Sequence, residues 1–319
     1  MNILITSIGS NTAISVVKAI RGLPQPIKII GTDTNTISEC AGAHFVDLFY
    51  QISYASDKEL FEKEIITIIK KESIDCVIPI HDKEIEIISI MSEKWPSLTF
   101  WAVNNENVIK ICNNKRVANN LFLNNGINVP NVYDLMEEID SFPVIIKPIA
   151  GVSSKGIKII KNKEELTPID KTQDLLIQQY ITGTEYTVDC FSNYDGVFYG
   201  GLARERLETK EGMSTKGVTR KIDSLIEYSK KIHEILNYKG ASNIQFIISE
   251  NKVYFIEINP RFSGAGILSY KANFNSPYFT ILQALKKELP TFSDLHIKYD
   301  LKMVRYWEEH FYEKENIIV

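Results

Sequence analysis

The chain has 319 residues, 44% hydrophobic and 24% charged, with a formal net charge of -4. That length can bury a large core and predicts two or three domains, and the charge balance excludes the basic footprint expected for nucleic acid or an anionic membrane. Cys40, Cys76, Cys112 and Cys190 lie far apart with no CxxC or zinc spacing, so free, mostly buried thiols in a reducing compartment are expected.

The start Met1-Asn2-Ile3-Leu4-Ile5-Thr6-Ser7 has no basic segment of a signal peptide, and no apolar run approaches the ~18 residues of a membrane span. A soluble, cytoplasmic protein without nucleic-acid or membrane partners is the expectation. Residues Asn2 to Ile8 read as a strand, Thr12 to Arg21 as a helix and Ile27 to Thr32 as a second strand. Leu60 to Lys71 is helix-periodic, Cys76 to Ile80 a strand, Lys83 to Met91 a helix and Leu98 to Val103 a strand. Strands alternating with helices predict parallel βαβ units and a doubly wound sheet. The turn Ser7-Ile8-Gly9-Ser10-Asn11-Thr12 is not GxGxxG and reads as a tight βα turn rather than a phosphate loop. Asp33 stands where a ribose-binding acid would, and serves equally well as a strand-end cap.

Asn104 to Asn125 reads as helix, turn, helix, with Asn113 or Asn114 as N-cap. From Phe142 the pattern changes to paired strands with polar turns, at 144–147, 157–160, 175–180 and 186–189. These are antiparallel signals, so a second domain is predicted to begin between residues 104 and 130. Ser224 to Leu236 and Ser276 to Lys287 read as helices, and Leu301 to Trp307 as a strand returning to the sheet.

The chemistry concentrates in Glu257-Ile258-Asn259-Pro260-Arg261, directly after the strand-like Val253-Tyr254-Phe255-Ile256. Alternation puts Glu257 and Asn259 on one face, with Arg261 continuing the line and Tyr254, Ile256 and Ile258 facing the core. Carboxylate and amide oxygens suit Mg²⁺, and an arginine suits phosphate oxygens. Gln245, in Asn243-Ile244-Gln245-Phe246-Ile247-Ile248, is a candidate third ligand. It shares a face with Glu257 only if the two pair directly, which requires an odd-numbered connection at Glu250-Asn251-Lys252 or a bulge.

Lys147 ends the apolar strand Phe142-Pro143-Val144-Ile145-Ile146-Lys147-Pro148, where an ammonium needs an anion. Gly151-Val152-Ser153-Ser154-Lys155-Gly156 follows, a small-residue loop able to wrap backbone N–H groups around phosphate. Gln178-Gln179-Tyr180-Ile181-Thr182-Gly183-Thr184-Glu185 carries an apolar strand into a polar hinge. Arg204, Arg206 and Arg220 flank a mobile-looking polar stretch, Gly212 to Gly217, that could clamp a carboxylate or phosphate. Pro79-Ile80-His81-Asp82-Lys83-Glu84 lies at a strand's carboxyl end, where open α/β sheets place ligands. There Asp82 reads as a helix cap, while Glu84 could face a shared cleft.

In this order, from about residue 113 to residue 312, the motifs resemble the ATP-grasp superfamily. The Gln245 and Glu-x-Asn-Pro-Arg segments are especially similar to carbamoyl-phosphate synthetase, and the chain holds one such unit. The resemblance implies a Rossmann-like α/β pre-ATP-grasp domain with a parallel sheet (1–112), then an α+β ATP-grasp domain. That second domain would consist of a small lid subdomain (113–182) and a large subdomain with the metal site (183–319). By the same resemblance, Lys115 and Lys147 would contact ATP phosphates, and the loop from Gly151 through Ser153 and Ser154 to Gly156 would close over them. Gln178 would face the adenine amino group, the backbone of Tyr180 and Ile181 would read the adenine edge, and Glu185 would hold the ribose. Gln245, Glu257 and Asn259 would hold Mg²⁺ or Mn²⁺. Arg261, with Lys147 and Arg220, would form the catalytic set.

The loop is poorer in glycine than the family pattern, with Ser153 at a common Gly position, and Ala150 replaces a residue that is often polar. The implied activity is ADP-forming ligation of a small-molecule carboxylate to an amine or ammonia through an acyl phosphate. Alternatives are a kinase acting on bicarbonate or carbamate and a non-catalytic ATP-binding subunit. Relatives of this kind are often dimers, so the resemblance admits a homodimer.

Overall fold

The computed structural model describes residues 1–134, 138–149, 156–166 and 174–311. The first sheet is built from β1 (Asn2–Ile5), β2 (Lys28–Asp33), β3 (Leu48–Gln51), β4 (Cys76–Ile78) and β5 (Phe100–Trp101), in the order β3-β2-β1-β4-β5. All its pairings are parallel. The connecting helices are α1 (Asn11–Arg21), α2 (Lys58–Glu72) and α3 (Asp82–Lys94). In α1 the Ser10 hydroxyl accepts from the Ala13 N–H, while Val16, Val17 and Ile20 turn inward at helical spacing. The edge strand β3 carries no alternation in burial, which is why it is absent from the sequence reading. β5 is shorter than Leu98 to Val103 suggested.

Helices α4 (Glu106–Asn113) and α5 (Lys115–Asn124) follow, capped by Asn105 and Asn114. A four-stranded sheet then joins β6 (Val132–Tyr133), β7 (Val144–Pro148), β8 (Lys158–Ile160) and β9 (Leu175–Gln179), in the order β6-β9-β7-β8 with antiparallel pairings.

The largest sheet contains β10 (Thr184–Ser192), β11 (Phe198–Lys210), β12 (Met213–Arg220), β13 (Gly240–Ser249), β14 (Lys252–Asn259) and β15 (Lys302–Val304). Its order is β14-β13-β10-β11-β12-β15, also antiparallel. The stretch read as a mobile clamp is therefore a strand: Met213 to Arg220 pairs with β11 around a tip at Gly212. Helix α6 (Asp223–Leu236) packs on the apolar face of this sheet. Its Leu225, Ile232 and Leu236 join Val188, Cys190, Ile244, Phe246, Phe255 and Ile258 in one core, each such side chain contributing about 1.5–3 kcal/mol by burial.

Helices α7 (Ile267–Lys271) and α8 (Ser276–Ala284) lie against the first domain, and Phe262, Tyr270 and Ile281 share a core with Val16, Val17 and Ile20 of α1. That shared core joins the parallel sheet to the antiparallel one. All four cysteines are buried and free. No helix among the described residues is long and apolar enough to cross a membrane.

Candidate active site

A cleft of about 920 Å³ opens between the four-stranded sheet and the polar face of the six-stranded sheet, a size that suits a small-molecule ligand. The register explains that face. Glu257 on β14 pairs with Gln245 on β13, Gln245 with Thr187 on β10, and Thr187 with Arg204 on β11. One step on, Asn259, Asn243 and Asp189 form a parallel row.

The hairpin between β13 and β14 has a two-residue tip, Glu250-Asn251, both at positive φ as primed hairpin turns require. An even tip alone would put Ile256 opposite Gln245. The register shift between Gln245 and Phe246 restores Glu257 to that place. This bulge corrects one expectation. Ile256 lines the cleft beside Glu257, and the core side is taken by Val253, Phe255 and Ile258 rather than by Tyr254 and Ile256.

Around Glu257 the donors converge. Gln245 Nε2 donates to Glu257 Oε1 at 2.8 Å and Asn259 Nδ2 to the same oxygen at 3.3 Å. Lys115 Nζ, at the first turn of α5, lies 3.9 Å from Glu257 Oε2. Lys147 on β7 is only 6% exposed. Burial pushes its ammonium down to about 8, Lys115 adds to that, and Glu257 opposes it. The described residues hold no group of three or more His, Cys, Asp or Glu placed for a metal. One carboxylate flanked by two side-chain amides still fits a hard cation that keeps several waters and takes other oxygens from a phosphate.

At the hinge, Gln178 is buried, and its Nε2 donates at 3.4 Å to the Pro130 carbonyl, leaving Oε1 for another partner. The Tyr180 N–H donates to the Pro143 carbonyl at 3.1 Å, so the hinge offers the Tyr180 carbonyl and Ile181 rather than both groups of Tyr180. A Cβ on Gly183 would come within 2.3 Å of the Ile248 carbonyl oxygen. The Glu185 carboxylate lies 3.3 Å from Arg206 Nε in an ion pair, although that buried Nε has no hydrogen-bond acceptor in proper alignment.

Of the candidate loop, Gly156 is described, exposed and at φ +76°. Gly151, Ser153 and Ser154 lie outside the described residues, as does Ala150.

Four further expectations change. Arg220 stands opposite Ala203, on the sheet face away from Arg204, so it does not line the cleft; Glu205 at 2.7 Å and Asp300 hold it there. Arg204 does line the cleft, but its guanidinium is committed to Asp189 at 2.8 and 3.0 Å and to Ser263 at 2.7 Å. Glu84 is turned into the first domain, accepting from Thr6 at 2.6 Å and Ser7 at 2.7 Å, and burial raises its carboxyl above the usual range. Asp82 is not the cap of α3, a place taken by His81; its carboxylate meets Arg261 at 2.8 Å.

Sequence reasoning missed Thr187, Asn243, Asn11 and Thr12, all of which line the cleft. Asn243 was recoverable, since it stands two positions before Gln245 on the same strand face.

Comparison with known proteins agrees with this architecture. Residues 171–306 match the family described as ATP-grasp in the biosynthetic pathway with Ter operon, and residues 3–99 match the PylC-like N-terminal domain. A D-alanine–D-alanine ligase of Fusobacterium nucleatum is 35% identical over 153 residues, covering 42% of this chain and 51% of the ligase. A carbamoyl phosphate synthase large chain of Clostridium botulinum is 33% identical over 155 residues, covering 43% of this chain and 14% of the synthase. The chain thus spans about half of the one relative and a small part of the other. A biotin carboxylase–β-γ-ATP complex from Campylobacter jejuni superposes with a TM-score of 0.74 over 94% of this chain and 74% of that one. At 18% identity this likeness bears on the fold alone.

The parallel sheet followed by the two antiparallel sheets is the ATP-grasp architecture with its preceding α/β domain. The chain is thus similar to the ATP-grasp superfamily, by the Ter-operon-associated ATP-grasp match over residues 171–306 and the PylC-like match over residues 3–99.

Proposed function

We propose that the protein is an ADP-forming carboxylate–amine ligase that takes ATP and Mg²⁺ in the cleft between the antiparallel sheets. The observation that carries this reading is the convergence of Lys115 and Lys147 on Glu257, with Gln245 and Asn259 beside it. Two cations from the roof and the start of α5 face one carboxylate from the floor, an arrangement that suits a polyphosphate held with a divalent ion.

Gln245, Glu257 and Asn259 would hold the ion, which when bound neutralises charge on the phosphate oxygens. Lys115 and Lys147 orient the phosphates, and the Lys115 end of α5 adds the positive pole of the helix. Gln178, the Tyr180 carbonyl and Ile181 face the adenine, and Glu185 the ribose. Arg261 steadies the transferring group. In the reaction, a substrate carboxylate oxygen attacks the γ-phosphorus, the bond to the β-phosphate oxygen breaks, and ADP leaves with the electron pair. The amine lone pair then attacks the acyl carbon, the C–O bond to phosphate breaks, and the amine proton passes to solvent. Positioning and charge neutralisation suffice for this sequence without a protein nucleophile. Domain boundaries near residues 113 and 183 are part of the same reading.

Calorimetry of ADP with and without Mg²⁺ tests it, using Glu257→Ala and Lys147→Met. Wild type binds in a Mg²⁺-dependent manner, Glu257→Ala loses the Mg²⁺ dependence, and Lys147→Met binds at least about tenfold more weakly. Binding that ignores Mg²⁺ and both substitutions contradicts the proposal.

A further inference from the structure

The strand that carries Glu257 runs on to Arg261, whose side chain reaches across to the first domain. Its Nε donates to Asp82 Oδ1 at 2.8 Å, with 18% of the arginine and 20% of the aspartate side chain exposed. Two other bonds, both 3.3 Å, run from Nη2 to Asn259 Oδ1 and from Nη1 to the Phe262 carbonyl. A guanidinium carries five N–H donors in one rigid plane. Three bonds therefore fix the plane and leave one N–H on each terminal nitrogen, in a residue that lines the cleft. The backbone is also held, because Asn243 Nδ2 donates to the Arg261 carbonyl at 3.1 Å.

Asp82 itself does not line the cleft. It opens α3 at the carboxyl end of β4, which adjoins β1 where the order of the parallel sheet reverses, the usual ligand-facing edge of such sheets. Here that edge presents a carboxylate to an arginine of the other domain.

We infer that Asp82 is a positioning residue for Arg261, so that the first domain sets the plane of the guanidinium that meets the transferring phosphoryl group. This rests on the reading of the cleft as a phosphoryl-transfer site. Without the Asp82 carboxylate, Nε loses the shortest of the three bonds, and only the two longer contacts orient the plane. A plain structural clamp between domains would behave differently, costing stability without changing how the transition state is bound.

The test compares wild type, Asp82→Asn, Asp82→Glu, Arg261→Gln and the double variant Asp82→Asn/Arg261→Gln. Calorimetry measures affinity for MgADP alone and for MgADP with aluminium fluoride, a mimic of the transferring phosphoryl group, and melting temperatures are recorded alongside. Asp82→Asn is expected to bind MgADP as wild type does, yet to lose at least about tenfold of the affinity gained with aluminium fluoride. Asp82→Glu restores part of that gain and carries the test should the asparagine variant not fold. Asp82→Asn has no further effect in the Arg261→Gln background. An unchanged aluminium fluoride gain, a loss confined to melting temperature, or an effect that persists without Arg261 overturns the inference. If wild type binds MgADP but gains nothing from aluminium fluoride, the phosphoryl-transfer reading fails first and the role of Asp82 falls with it.

Discussion

Lys147 is a buried charge lining the cleft. It ends a strand whose other side chains are apolar, and burial with Lys115 nearby holds its ammonium at about 8, against 10.5 for an ordinary lysine. In the window from about 8 to 10.5 the unfolded chain binds more protons than the folded one, so the contribution of Lys147 to stability rises with pH through that window. A bound polyphosphate favours the charged form and moves the group back up. Nucleotide binding near pH ~8.5 is therefore expected to take up a fraction of a proton, at most about three quarters. Calorimetry of MgADP in two buffers of different ionisation enthalpy reads this directly. Lys147→Met should abolish the uptake, and zero or net release in wild type contradicts the account. Lys147, Glu257, Asn259 and Gln245 were legible in the sequence because each breaks an apolar strand pattern with a group that is costly to bury unpaired. The committed state of Arg204 and the outward face of Arg220 were not legible, since both depend on the pairing of β11 with β12.

At the scale of elements, two local devices shape the cleft. The bulge at Ile256 lets a two-residue hairpin tip coexist with a Glu257–Gln245 pair. The sequence showed that a bulge or an odd connection was required, but not which one, because that choice lies in the backbone. The tip is strained at Glu250, whose φ is 47°. Glu250→Gly should raise stability by about 0.5–1 kcal/mol with no change in nucleotide binding, measured by chemical denaturation. A loss of stability would show that the tip is held by its side chain.

The second device is the close approach at Gly183. Gly183→Ala must push the hinge away from the Ile248 carbonyl, so ADP affinity is expected to fall at least about tenfold while the far sheet stays folded. Unchanged affinity would mean that the hinge backbone is not part of the nucleotide site. The hairpin of β11 and β12 escaped the sequence reading because both of its faces carry charged side chains, Arg204 and Arg206 toward the cleft and Glu205 and Arg220 away from it, which removes the alternation that marks a half-buried strand.

For the whole molecule, two antiparallel sheets and the start of α1 meet around one cleft, and the shared core of α1 with α7 and α8 ties the parallel sheet to the antiparallel floor. Apart from the edge strand β3, the order of strands and helices in the first hundred residues was readable from pattern, as was the change to antiparallel pairing. The bridge from Asp82 to Arg261 was not, since the two are 179 positions apart and nothing local couples them. The central claim is the ADP-forming activation of a carboxylate for attack by an amine. It is tested most directly by identifying the nucleotide product when the protein is given MgATP with pooled carboxylates, amino acids and ammonia, with Glu257→Ala alongside. The account predicts ADP and phosphate in equal amounts, dependent on the pool and absent in the variant. AMP with pyrophosphate, or ADP formation that survives loss of Glu257, would contradict it.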